Sequence, residues 1–153
     1  MKDGLVEEFW ENGQLRFKRN YKDGKKDGLQ ENYDEDGQLS LKENWKDNNP
    51  DGLWKFYYKN GELRSKVNFK NGKEDGLCES YWDNGQLWFK ENYKDGKPDG
   101  LSESYHDNGK LSSKGNFKKG ELNGLWEYYD EEGNLIETQE WKDGKRIKKR
   151  ELK

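Results

Sequence analysis

The chain carries 32 acidic and 29 basic side chains, so any chemistry would be sought first among its carboxylates. One acidic column, Glu7, Glu31, Glu79, Glu103 and Glu127, recurs at a fixed interval, with Lys55 taking one place in it. Two acids can hydrolyse a glycosidic bond. A residue that returns in unit after unit is better explained by structure, however, and Lys18, Lys42, Lys66, Lys90 and Lys114 recur beside it as cross-strand partners. His106 is the sole histidine and Cys78 the sole cysteine. They supply neither a metal-binding cluster nor a nucleophile with its base and orienting acid, and they leave no intrachain disulfide. No strand-to-helix transition follows the glycines, so none of them forms a phosphate-cradling loop. The sequence therefore leads us to expect no catalytic residue, no metal site and no cofactor.

What positions these side chains is a repeat. Gly4, Gly28, Gly52, Gly76, Gly100 and Gly124 stand 24 residues apart, each followed by leucine. Gly13, Gly37, Gly61, Gly85, Gly109 and Gly133 keep the same step, with leucine two residues later. A third column, Gly24, Gly72, Gly96, Gly120 and Gly144, is broken only by Asn48, the side chain that best tolerates a positive φ after glycine. A fixed period of this length marks a stacked array in which no unit buries its apolar face alone. The units are 3–26, 27–50, 51–74, 75–98, 99–122 and 123–146, forming one repeat domain over 1–153 with 147–153 as a C-terminal cap.

Each unit reads as two strands, for example Leu29 to Asp34 and Gln38 to Lys46. Asp83 to Gly85 forms a three-residue hairpin loop with glycine in the left-handed position, a count that sets Tyr81 opposite Leu87. The polar connection Lys22 to Gly28 leads antiparallel into the next unit. The expected fold is all-β: an elongated single-layer antiparallel meander of six 24-residue β-hairpin repeats with a charged C-terminal edge strand, where Lys149 takes the leucine position. Leu5, Phe9, Leu15, Tyr21 and their equivalents are expected on the buried face. Asn20, Asn44, Asn68, Asn92 and Asn116 are expected to hydrogen-bond to backbone in the connections.

At 28% hydrophobic and 40% charged residues the chain is too polar for a two-layer core, while aromatic residues in register oppose disorder. A net charge of −3 and acids interrupting the basic C-terminal run argue against nucleic acid as a partner. No apolar run near the N-terminus would serve as a signal peptide or span a bilayer, so the expected location is the cytoplasm, or the envelope or exterior if a signal has been removed.

The columns that vary between units are Val6, Gln30, Trp54, Cys78, Ser102 and Trp126, and Glu8, Asn32, Phe56, Ser80, Ser104 and Tyr128. They fall on the face opposite the leucines, where an exposed aromatic patch would mark a partner site. The expected contacts are Trp54, Phe56, Tyr58, Trp82, Trp88, Trp126 and Tyr128. A bulge in the second strand would put Phe89 in place of Trp88, and a coiled ribbon would cover the rings altogether.

The pattern G-L-x-E-x-Y-x-x-N-G-x-L at Gly76 to Leu87, followed by K-x-N-Y-K-D-G-K at Lys90 to Lys97, resembles the variant MORN repeat of bacterial proteins from Asp3 to Lys145. The resemblance implies antiparallel hairpins stacked in one sheet and assigns no catalytic residue. Many bacterial members are YwqK-family antitoxins, which implies a non-enzymatic protein that neutralises a toxin by binding it. A cell-envelope or carbohydrate-binding module and a structural spacer stay open beside this, so a membrane or glycan contact ranks behind a protein partner.

Overall fold

The computed structural model describes residues 3–152, and every regular element among them is a strand. Two compact units are present, one up to Lys73 and the other from Glu74. The first holds β1 (Gly4–Phe9), β2 (Leu15–Lys22), β3 (Lys25–Lys26), β4 (Gly28–Tyr33), β5 (Leu39–Lys46), β6 (Asn49–Pro50), β7 (Gly52–Tyr57) and β8 (Leu63–Lys70). Its strands pair antiparallel in the order β1-β2-β4-β5-β7-β8, with β3 on β2 and β6 on β5. The two-residue β9 (Lys73–Glu74) falls at the boundary. The second unit holds β10 (Gly76–Tyr81), β11 (Leu87–Lys94), β12 (Lys97–Tyr105), β13 (Leu111–Lys118), β14 (Glu121–Tyr129), β15 (Leu135–Lys142) and β16 (Lys145–Glu151), each antiparallel to the next. The chain is the expected all-β meander of six hairpin repeats.

Two turn types make the meander. Within a repeat the Trp82 N–H donates to the Gln86 carbonyl at 2.8 Å and the Gly85 N–H to the Trp82 carbonyl at 3.0 Å, closing the three-residue loop. Tyr81 faces Leu87, as the count requires. Between repeats the connection is tighter than its polar sequence suggests. Asp23 and Gly24 have φ of 51° and 78°, the two positive values of a type I′ hairpin, and Asp47 with Asn48 repeats them at 48° and 66°. The asparagine that interrupts the third glycine column thus holds the backbone that glycine holds elsewhere.

Beyond that turn the ladder breaks. Glu91 pairs with Ser102 and Tyr93 with Pro98, which leaves Asn92 alone opposite Asp99, Gly100 and Leu101. The Asn92 Nδ2 donates to the Leu101 carbonyl at 3.1 Å, and Asn20 and Asn44 make the same bond to Leu29 and Leu53 at 2.6 Å. Asn20, Asn44 and Asn92 therefore satisfy backbone in the connection, as expected, whereas Asn116 pairs directly with Asn123 in the ladder.

A second irregularity overturns the expected faces. Tyr81 pairs with Leu87 but Ser80 pairs with Phe89, so Trp88 is an extra residue in its strand. Arg16, Ser40 and Arg64 are the extra residues of the hairpins in the first unit. Because side chains alternate with period two, one inserted residue moves everything beyond it to the other face. Phe89, Glu91 and Tyr93 consequently stand opposite Ser80, Cys78 and Gly76, and Tyr21 and its equivalents leave the leucine face for the variable one. The burial follows this corrected parity. Leu5, Leu53, Leu77, Leu101 and Leu125 are 36% to 54% exposed, and Phe9 is exposed with them. Gln30, Cys78, Ser102 and Trp126, together with Gly115, are the buried positions among the described residues. The variable face gains an aromatic column from the bulge, and it is this richer face that excludes water.

At the C-terminal strand the pairing of Gln139 with Lys149 and Glu140 with Lys148 puts Lys148, not Lys149, in the leucine position. The connection here bulges by only one residue, Ile147, and so the count from the preceding repeat slips by one. All seven residues of β16 are exposed, and Lys149 bridges Glu137 at 3.7 Å and Glu151 at 3.2 Å.

Candidate binding faces

The buried face is built from side chains that lean back onto the preceding repeat. The Gln30 Nε2 donates to the Asn20 carbonyl at 2.8 Å, the Trp54 Nε1 to Asn44 at 2.8 Å and the Trp126 Nε1 to Asn116 at 3.1 Å. Several positions on this face meet a matched neighbour. The Ser102 hydroxyl lies 3.3 Å from a Glu91 carboxylate oxygen, whereas Trp126 lies flat over Gly115, the smallest residue in that column. Trp54 is wedged between Trp45 and Phe69, with ring centroids 5.3 and 4.9 Å away, and touches Phe56 at 6.3 Å. Variation along this face is therefore variation in how neighbouring repeats pack.

The seven aromatic residues expected at one exposed patch have different fates. Trp126 is only 6% exposed and belongs to the core, which corrects its expected accessibility. Trp54 and Phe56 are half-buried together in the first unit, Phe56 beneath the Arg64 guanidinium at 5.8 Å. Tyr58, also half-buried, spends its backbone closing a turn with Glu62 at 2.8 Å. Tyr128 is half-buried, and burial followed by the Glu137 charge raises its pKa. Trp82 and Trp88 stack at 4.7 Å, with Trp88 the exposed partner at 41%. The bulge does bring Phe89 to the variable face, where its ring meets Trp88 edge-on at 5.1 Å.

His106 has a plain structural role. Its Nε2 lies 3.0 Å from the Tyr129 carbonyl, and Trp10 and Trp82 present Nε1 to Tyr33 and Tyr105 in the same way at 3.2 Å. An acceptor there requires the proton on Nε2. Two residues later, Asn84 and Asn108 bond to the carbonyls of the next turn, Asp107 and Glu131, at 3.0 and 2.9 Å. Where this asparagine is replaced by Asp36 or Glu132, an aspartate appears two residues earlier and takes over the turn. Asp34 accepts from Gln38 N–H at 2.9 Å and Asp130 from Asn134 N–H at 2.8 Å. The backbone N–H of Asn134 is the main reason the Asp130 carboxyl titrates below its ordinary value. The exchange between two turn chemistries is visible in the sequence as W-x-N-G or H-x-N-G against D-x-D-G or D-x-E-G, and that signal was missed.

On the leucine face a charged ladder runs between two apolar rows. Glu79 pairs with Lys90, Lys90 with Glu103, Glu103 with Lys114 and Lys114 with Glu127, and the Lys90 ammonium lies 3.6 Å from Glu103. In the first unit Lys55 interrupts the alternation, so Lys42, Lys55 and Lys66 follow one another in the ladder. Tyrosine hydroxyls donate to the glutamate two residues earlier on the same strand, Tyr81 to Glu79 at 2.9 Å and Tyr105 to Glu103 at 3.2 Å. That bond is the physical content of the E-x-Y motif.

These tyrosines predict an alkaline transition. Burial first, then the Glu79 hydrogen bond, pushes Tyr81 up to about 12, and burial with the Glu91 charge does the same for Tyr93. A phenol held protonated in the fold above its ordinary value of about 10 contributes stability that is complete below that pH and is lost as pH rises towards 12. Glu79→Gln and Glu91→Gln are expected to bring their tyrosines' ionisation to lower pH, measured by tyrosinate absorbance. Unchanged midpoints in both variants would dissociate the carboxylates from the shift.

Hairpins that lock together in series, with one packed face and one open face, define a β-hairpin repeat scaffold. The chain belongs to the MORN repeat variant family, whose sequence model matches residues 2–23, 26–47, 50–71, 74–95, 98–119 and 122–143. No curated protein matches it. Among solved structures, the crystal structure of accessory secretory protein 1, 2 and 3 in Streptococcus pneumoniae is similar at 20% identity and a TM-score of 0.36. That match covers 65% of this chain and 18% of the other.

Proposed function

We propose that the chain is a non-enzymatic protein-binding scaffold whose leucine face is its docking face. One observation carries this: a leucine follows the first glycine in all six repeats, yet five of these leucines remain 36% to 54% exposed. An apolar row that is kept in every unit and faces water marks an interaction surface. In the second unit Leu77, Leu101 and Leu125 supply the row. The charged ladder beside the leucines would orient a partner more than hold it. The antitoxin resemblance makes a toxin the partner to test first, with the cytoplasm as the place of encounter.

The test compares capture from lysate of the source cells by the wild-type chain and by a Leu77→Ser, Leu101→Ser, Leu125→Ser variant whose fold is checked by circular dichroism. The expected result is a protein that only the wild type retains, that arrests growth when expressed alone and that is neutralised by co-expression of this chain. Equal capture by a folded variant would remove the leucine face from the reading. A retained protein that leaves growth unaffected would remove the antitoxin assignment and keep the scaffold.

A further inference from the structure

We infer that a hollow of about 300 Å³ on the first unit, on the face opposite the leucines, binds an oxyanion, a carboxylate or a phosphate monoester, carried on a flat apolar body. Its recognition groups are two arginines held on rings. The Arg19 guanidinium lies 3.8 Å from the Phe17 centroid and that of Arg16 lies 4.7 Å from Trp10. Stacking fixes the plane of a guanidinium and leaves its N–H edge free to meet two oxygens at once. Arg16 is partly engaged, with Glu8 at 3.1 Å. Arg19 is half-buried and has no carboxylate within ion-pair distance among the described residues.

The surroundings favour the same ligand. The hollow is lined by Asn32, Ser40 and aromatic rings beside the two arginines, and no acid lines it. The one carboxylate paired to its rim, Glu8, is already neutralised by Arg16. Continuing the ladder one step from the Lys18 and Glu31 pair sets Arg19 across from Gln30. Gln30 is 2% exposed and its Oε1 has no donor, so Arg19 does not spend its N–H groups there either. The combination occurs in this hairpin alone. The Arg19 column continues as Glu43, Val67, Glu91, Gly115 and Gln139, and the Arg16 column as Ser40, Arg64, Trp88, Ser112 and Ile136. In a chain of net charge −3, a cationic hollow walled by rings is a local exception.

The test uses the full chain and small probes: benzoate, phenyl phosphate and neutral benzamide, titrated while the arginine Nε–H and tryptophan indole signals are followed by NMR. Saturable shifts of Arg19 and Trp10 with at least one anion and not with benzamide are expected, and the anion that saturates first tells carboxylate from phosphate. Arg19→Gln should weaken the response at least tenfold. Arg19→Lys, which keeps charge but loses the planar fork, should weaken it severalfold, and Arg64→Gln should leave it unchanged. Linear shifts with both anions, a benzamide response equal to theirs, or full binding in a folded Arg19→Gln chain would each overturn the proposal. If the arginine variants fail to fold, the contrast between anions and benzamide on the wild type decides.

Discussion

Gly115→Ala will destabilise the second unit by about 1–3 kcal/mol, the range of an overpacked core, although it adds a single methyl group. A Cβ there would fall 2.0, 2.2 and 2.5 Å from three atoms of the Trp126 ring. Gly115 has no positive φ, so the cost is steric and owes nothing to backbone strain. The ring is held in place, its Nε1 tied to the Asn116 carbonyl at 3.1 Å and its plane meeting Phe117 edge-on at 5.2 Å. Urea unfolding of Gly115→Ala, of Trp126→Ser and of the double variant measures the coupling. Most of the alanine penalty should vanish once the ring is gone. A neutral Gly115→Ala would mean that Trp126 does not lie over this residue.

The second large effect separates a core ring from an exposed one. Trp126→Ala removes a ring that is 6% exposed and is expected to cost about 3–5 kcal/mol. Trp88→Ala removes an exposed ring and should cost about 1 kcal/mol, the worth of its stack on Trp82. The two tryptophans were indistinguishable by alternation alone. Their unfolding midpoints in urea will rank them, and equal losses would contradict the burial of the variable face.

Period, hairpin count and turn chemistry were legible because each rests on a residue type with a local physical cause. Asn48 in a glycine column announced a positive φ, and the spacing of Asp83 to Gly85 placed Tyr81 against Leu87. The buried face was not legible, because parity was counted through a bulge. The inserted positions, Arg16, Ser40, Arg64 and Trp88 among them, share no chemistry that marks them. A usable signal lay instead in pairs eleven residues apart, where Gly115 makes room for Trp126 and Glu91 meets Ser102. Complementary variation between two columns speaks of mutual contact, whereas a partner site would let one column vary alone. The Arg19 hollow was passed over for the same reason, since its two arginines come to one place only after the bulge at Arg16 is counted.

The backward reach of Gln30, Trp54 and Trp126 onto Asn20, Asn44 and Asn116 also shows where this molecule could be cut and rejoined. The packing brick is not the sequence repeat that begins at Asp-Gly. In these three contacts it is the second strand of one repeat with the first strand of the next, joined through the tight turn. A recombination joint at Asp-Gly would split such a brick and part Gly115 from Trp126, while a joint in the three-residue loop passes between bricks. Blocks exchanged from loop to loop would carry their matched core pairs with them, so the loop is the natural seam for shuffling or lengthening the array.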